Sequence, residues 1–332
     1  MKAHAAAIAG VAVALITAGG SAGSLVVGST IPVGKHPAGV AIAAGSVWVT
    51  NDVDNTVSRI DPVAGKVTAT VALRGRAYPD PKVVAVSDGA LWVVAPTTGT
   101  ISRIDPETGG LVATLTIPGS AGGVAAEGTT LWVTSFDPYR CSANRCFSRL
   151  TRIDTRSNRV TGTFKVDSAT GIAAAYGSLW IVNHRSWAVT RFDPRKSKGT
   201  ATIPVRIGRE GTFAGPEEVA AGLGAVWVSH PVQDLVTRID PRTNRVVARV
   251  RFPRNAEPNR LVVGAGSLWA VGPKQIFRID PRTNRIADAV RIGRHPDGDY
   301  RGLRSIAVSG QTLWVTDGDA DTVDRIELTA GK

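Results

Sequence analysis

The sequence predicts an all-β fold, a seven-bladed β-propeller closed by pairing of its N-terminal strand with the last blade. Three observations carry the prediction. A tryptophan-centred segment recurs at Trp48, Trp92, Trp132, Trp180, Trp227, Trp269 and Trp314, with gaps of 44, 40, 48, 47, 42 and 45 residues. A steady period of that size marks an array of structural repeats. Each Trp is followed by Arg-Ile-Asp or a near relative, headed by Arg59, Arg103, Arg152, Arg191, Arg238, Arg278 and Arg325. The last repeat stops at Thr329-Ala330-Gly331-Lys332, which matches Val63-Ala64-Gly65-Lys66 and leaves that blade one strand short. Leu25–Val33 is the expected donor, because its Thr30-Ile31-Pro32 resembles Thr116-Ile117-Pro118 and Thr202-Ile203-Pro204 in fourth-strand positions. Such pairing leaves no long exposed edge.

Residues 1–22 read as a secretory signal peptide. Met1, Lys2 and His4 give a positive start, Ala5–Ala18 is an apolar run, and Gly20-Ser21-Ala22 offers a cleavage site. The run is shorter than the roughly 18 apolar residues that a membrane helix needs. Residues 23–332 are then the propeller. The expected product is secreted or held at the cell envelope, with no transmembrane segment after signal removal, and monomeric.

The first repeat shows how each blade is built. Gly39–Ala44 is a small, β-branched run suited to an innermost strand, Gly45-Ser46 turns, and Val47–Asn51 is the second strand. Thr56–Asp61 forms the third and Lys66–Leu73 the outermost. Between these two, Gly65 needs a left-handed backbone, and other repeats place Gly109, Asn158, Asn244 or Asn284 there, the residue types that tolerate it. Four antiparallel strands per repeat describe a propeller blade. A large aromatic in every repeat belongs to packing between blades.

Composition agrees: Gly 36 and Pro 19 favour short strands and tight turns. The two cysteines, Cys141 and Cys146, sit in an insertion and read as a disulfide pinning one loop, since a metal site would require more ligands. The net charge of +12 favours anionic partners. No run of five basic residues occurs, and the charge lies on both faces without interleaved aromatics, so nucleic acid is not the expected partner.

The VWVTN, TVSRIDP and KVTATV segments resemble the YVTN-repeat propellers, exported or surface-layer proteins with seven blades. The resemblance runs from about Leu25 to Lys332 and implies the fold more than an activity. The repeats are also similar to those of virginiamycin B lyases, whose pattern is LWFTE and IGRIDP. That resemblance implies a metal-assisted opening of a cyclic depsipeptide, with a His near a first-strand start and Glu three residues after a repeat Trp. Here those positions hold Asn51, Ala95, Ser135, Asn183, His230, Gly272 and Asp317, none of them Glu. His36 lies near a first-strand start.

Repetition also separates scaffold from site. A residue type present in all seven repeats builds blades, so the seven Arg are expected to be structural, pairing with carboxylates in or beside their own blade. A residue peculiar to one blade is free to serve a ligand. The first strands of four blades begin on Ala38-Gly39, Lys82-Val83, Gly122-Gly123 and Thr170-Gly171, whereas the last three begin on Glu217-Glu218, Asn259-Arg260 and Arg304-Ser305. Glu217, Glu218 and His230 are candidate catalytic groups, as general base or metal ligands. The alternative is an ion-paired rim of Glu217 and Glu218 with Arg260 and Arg304. Candidate ligand-binding residues are Lys82, Asn259, Arg260, Arg304, Ser305, Asn51, Asn183 and His36. Asp297, Asp299, Asp317, Asp319 and Asp321 offer hard oxygen ligands for Ca2+, and the lyase reading would use Mg2+; solvated loop carboxylates are the alternative. The leading expectation is a non-catalytic binding platform for an anionic polymer, a small ligand or a protein. A metal-dependent lyase at the channel mouth is the competing one.

Overall fold

The structure is a computed structural model that describes residues 25–73, 80–142, 145–207, 215–292 and 302–329, without the side chains of 138–146. Seven four-stranded antiparallel sheets follow one another along the chain. The first strand of each blade touches the first strands of the two neighbouring blades, and blade 1 meets blade 7, so the ring is closed. In the first blade the strands are Pro37–Ala43, Ser46–Asn51, Thr56–Asp61 and Lys66–Ala72. The segment 1–22, Asp297 and Asp299 lie outside the described residues. Among the described residues no helix is long and apolar enough to cross a membrane.

Closure follows the expected route. Leu25–Pro32 pairs antiparallel with Thr322–Leu328, from Leu25 opposite Leu328 to Pro32 opposite Thr322. Ile31 and Ile203 hold one structural position, opposite Val323 and Val189, but Thr116-Ile117-Pro118 is displaced by two residues, with Leu115 in that position opposite Ile101. The turns behave as their residues dictate: Gly65, Gly109, Asn158, Asn244 and Asn284 all have φ between 55° and 73°. Ser197 fills the same position in blade 4 at φ 53°.

The core is a set of seven seams between blades. Trp92 packs with Val94 of its own blade and with Leu131, Val133 and Ile153 of the next, and Trp227 likewise with Leu268, Phe277 and Ile279. All seven repeat Trp are at most 2% exposed.

The repeat arginines depart from expectation. Arg325 meets a carboxylate, Glu327, within ion-pair distance, whereas Arg59, Arg103, Arg152, Arg191 and Arg238 bond hydroxyl, amide or carbonyl oxygens. Instead each guanidinium lies over the Trp of its own blade, 5.1–5.9 Å from the ring. Most also reach into the following blade. Arg103 Nη1 donates to Thr155 O and Asn158 Oδ1, Arg191 to Pro241 O and Asn244 Oδ1, and Arg238 to Pro281 O and Asn284 Oδ1. Arg325 closes the series on Pro62 O of blade 1. A turn carbonyl at the end of a neighbouring strand pair lacks a ladder partner, so a charged donor gains more there than from a solvated carboxylate. These contacts latch each blade to the next.

Candidate functional site

The seven first strands enclose a central cavity of about 560 Å3. Each blade contributes to its wall, among others Gly39, Lys82, Gly122, Gly171, Glu218, Arg260 and Ser305. The glycines are there because adjacent first strands nearly touch. A Cβ on Gly39 would lie 2.7 Å from Lys82 O, and one on Gly171 would lie 2.8 Å from Glu217 O. The amide of Gly171 donates to that same Glu217 carbonyl. A Thr or Ser in the second strand supports this geometry: Thr50, Thr134, Ser229 and Thr316 accept from first-strand amides of Gly39, Gly123, Glu218 and Ser305. The small first-strand starts therefore serve blade-to-blade contact.

Charged groups gather on one side of the mouth. Glu218 Oε2 accepts from Arg260 Nη1 at 2.9 Å, and Glu218 Oε1 from its neighbouring amide on Val219. Burial pushes the Glu218 carboxyl up from its usual range, against the pull of Arg260. Arg304 does not join this pair. Its Nη2 donates to His36 Nε2, and it lies 3.9 Å from Asp319. A guanidinium has no acceptor, so His36 carries its proton on Nδ1 and donates it to Asp52 Oδ2 at 3.0 Å. Lys82 Nζ continues the chain, 3.6 Å from Asp52 and 2.7 Å from Asp80. Burial and the Asp80 carboxyl raise Asp52. Burial also pushes Asp80 up, but hydrogen bonds from Asp52, Lys82 and Thr97 outweigh it and hold Asp80 low. The network links blades 7, 1 and 2 through residues up to 268 positions apart.

The predicted residues thus separate into three groups. Glu217, Glu218, Lys82, Arg260 and Ser305 line the cavity. His36 and Arg304 stand beside it in the network, and Asn259 begins blade 6 with its amide bonded to Val271 O. Asn51, Asn183 and His230 are buried inside the blades. All three end a second strand and bond a hydroxyl of the third: Asn51 to Ser58, Asn183 to Thr190 and His230 to Thr237. Trp187 stacks on His230, with ring centroids 6.2 Å apart, and burial lowers the His230 pKa to about 3. His230 is therefore directed into a blade seam, apart from the two Glu.

The aspartates of the last blade have separate partners. Asp317 is buried and accepts the amides of Asp319 and Ala320, whereas Asp321 binds Lys35 Nζ and the His36 amide. Among the described residues no group of three His, Cys, Asp or Glu is placed to hold a metal ion. Strand register sets Cys141 opposite Cys146. A second hollow of about 300 Å3 lies on the outer wall between blades 3 and 4, where Lys165 already covers the Phe147 ring at 5.2 Å.

One charge at the mouth is left over. Lys82, Arg260 and Arg304 each have a carboxylate nearby, whereas the Glu217 side chain has no hydrogen-bond or ion-pair partner among the described residues. The charged cavity-lining groups among the described residues, Lys82 and Arg260 against Glu217 and Glu218, balance. Sequence reasoning missed Asp52 and Asp80, whose contacts join loops of the adjacent blades 1 and 2. No known family model matches the chain, and no curated protein matches it.

Proposed function

We propose that the chain is an exported propeller of the YVTN-repeat kind that works as a binding platform, taking a small amine-bearing ligand at the channel mouth. The observation that carries this reading is the carboxylate of Glu217, without a partner among the described residues, on the wall of a cavity of about 560 Å3. Cavities of several hundred Å3 with a few convergent polar groups are the common form of a small-ligand site. An ammonium group would complete the charge pairing that Lys82, Arg260 and Arg304 already have. A peptide N-terminus has that chemistry, and the hydrogen-bonded backbone of the channel wall suits its amides. Binding is favoured over elimination because His230 lies in a seam, away from Glu217 and Glu218. Export rests on the basic start and apolar run of residues 1–22, and N-terminal sequencing of protein from culture medium tests it.

The ligand test incubates the protein with a library of di- and tripeptides and identifies those retained by native mass spectrometry. Peptides with a free amine should be retained, N-acetylated ones should not, and Glu217→Gln should weaken retention at least tenfold. Retention that ignores both acetylation and Glu217→Gln overturns the proposal, as does no retention at millimolar peptide.

A further inference from the structure

Where the chain keeps its positive surplus is a separate question from the mouth. The turns between third and fourth strands lie on the face remote from the mouth. Blade 5 presents Arg242 and Arg245 there, and blade 6 presents Arg282 and Arg285, all four exposed. Blade 3 adds exposed Arg156 and Arg159, and blade 4 adds exposed Arg195, Lys196 and Lys198. Four consecutive blades thus carry an arc of cations. The corresponding turns of blades 1 and 2 hold Val63 and Glu107 instead, with Lys66 the basic residue among them.

Local acids do little to neutralise the arc. Each turn has one aspartate, and that carboxylate is engaged in capping: Asp154 accepts from Ser157, Asp193 from the amides of Arg195 and Lys196, Asp240 from Arg242 and Asp280 from Arg282. Those hydrogen bonds hold the carboxyls below their usual range. Only two loose pairs occur among the described residues, Lys196–Asp193 and Arg282–Asp280, each at 3.8 Å. The arc is also rigidly spaced, because Asn158, Asn244 and Asn284 in these turns are gripped by the arginine of the preceding blade.

We propose that the turn-side arc of blades 3–6 docks a phosphodiester polymer of the cell envelope, leaving the channel mouth free. Guanidinium forks match phosphate oxygens two at a time, and a repeating anion can engage successive blades as it follows the arc. Single-stranded nucleic acid offers the same phosphates but calls for aromatic platforms for its bases. Tyr176 is the one large aromatic exposed among the described residues. The choice of an envelope polymer rests on the export reading above; the arc itself does not rest on the peptide site.

The test measures binding of purified poly(glycerol phosphate) by full-length protein across a salt series. One variant carries Arg242→Gln, Arg245→Gln, Arg282→Gln and Arg285→Gln. A charge-matched variant carries Lys35→Gln, Arg206→Gln, Arg254→Gln and Lys274→Gln, exposed residues of the loops on the other face. The wild type should bind with strong salt dependence, the arc variant at least tenfold more weakly, and the matched variant within about twofold of wild type. Equal losses in the two variants would show unplaced net charge and overturn the proposal. So would a tenfold preference for single-stranded DNA at equal phosphate concentration. Glu217→Gln should leave polymer binding unchanged, so failure of the peptide site and failure of the arc are read separately.

Discussion

Replacing Arg238 by Ala tests whether the repeat arginine is a latch between blades. Its Nη1 donates to Pro281 O at 2.7 Å and to Asn284 Oδ1 at 2.8 Å, both in the following blade, and its guanidinium is 5.1 Å from the Trp227 ring. A hydrogen bond from a charged donor contributes about 1.5–3 kcal/mol, and stacking on Trp about 0.5–2 kcal/mol. The freed turn carbonyl gains partial access to water, so the net loss should be roughly 3 kcal/mol. Unfolding entropy of about 2.1 cal/mol/K per residue over 332 residues converts that into a drop in Tm of roughly 4 °C. Arg152 supplies the internal control. It lies over Trp132 at 5.9 Å, but its hydrogen bonds stay in its own blade, on Thr161 Oγ1 and O. Those bonds are exposed, whereas the bonds of Arg238 are part-buried, so Arg152→Ala should lower Tm by less than Arg238→Ala does. Calorimetry at one fixed scan rate, with all three proteins, makes the comparison, because large proteins often unfold irreversibly. If Arg152→Ala lowers Tm as far as Arg238→Ala does, the bonds between blades are not what these arginines contribute.

Three further outcomes follow from buried groups. Trp227→Ala empties the seam between blades 5 and 6, where the ring is 0% exposed, and should destabilise by about 3–5 kcal/mol; a denaturant midpoint within error of wild type would contradict the seam model of the core. Burial holds His230 at about 3, so the native state binds fewer protons than the unfolded chain, and the stability His230 gives above pH ~6.5 is lost as pH falls toward 3. His230→Asn, which installs the residue found in this slot in blades 1 and 4, should flatten that acid loss in denaturant titrations between pH 7 and 4; an unchanged slope would show that His230 is not the group responsible. Asp324 is shifted the other way, raised chiefly by burial and also by Asp317, against a hydrogen bond from Thr30 Oγ1. Its contribution is favourable in acid and is lost as pH rises through the raised value, so Asp324→Asn should be more stable than wild type at pH 7 and equal to it below about pH 4, where the carboxyl is protonated in both states. A gain that persists below pH 4 would assign the effect to packing.

The fold was legible because its signals are local and repeated. Trp at one strand position and Gly or Asn at one turn position each report a requirement that recurs from blade to blade, and Thr-Ile-Pro marks outer strands even though the blade 2 copy is displaced by two residues. The site was only partly legible, and the misplaced candidates share one cause. Treating a blade-specific residue as free for ligand assumes that its position faces solvent. Asn51, Asn183 and His230 vary between blades, yet they occupy one interior slot whose constraint is a hydroxyl on the next strand, at Ser58, Thr190 or Thr237. A slot can be structural and still change residue type when its partner sits in the same blade and changes with it. Reading second- and third-strand positions as pairs would have shown this. The inverse error concerns Gly39 and Gly171, whose small size gave no hint of function and whose work is to admit a neighbouring carbonyl. Asp52 and Asp80 escaped for a different reason. Their partners lie in the loops of blades 1 and 2, and no spacing along the chain encodes which loop side chains two adjacent blades bring together. What distinguishes a binding residue here is therefore an unmet interaction rather than rarity in the sequence. Among the described residues, the Glu217 carboxylate meets that criterion at the proposed mouth site, and Arg242, Arg245 and Arg285 meet it at the proposed arc on the opposite face.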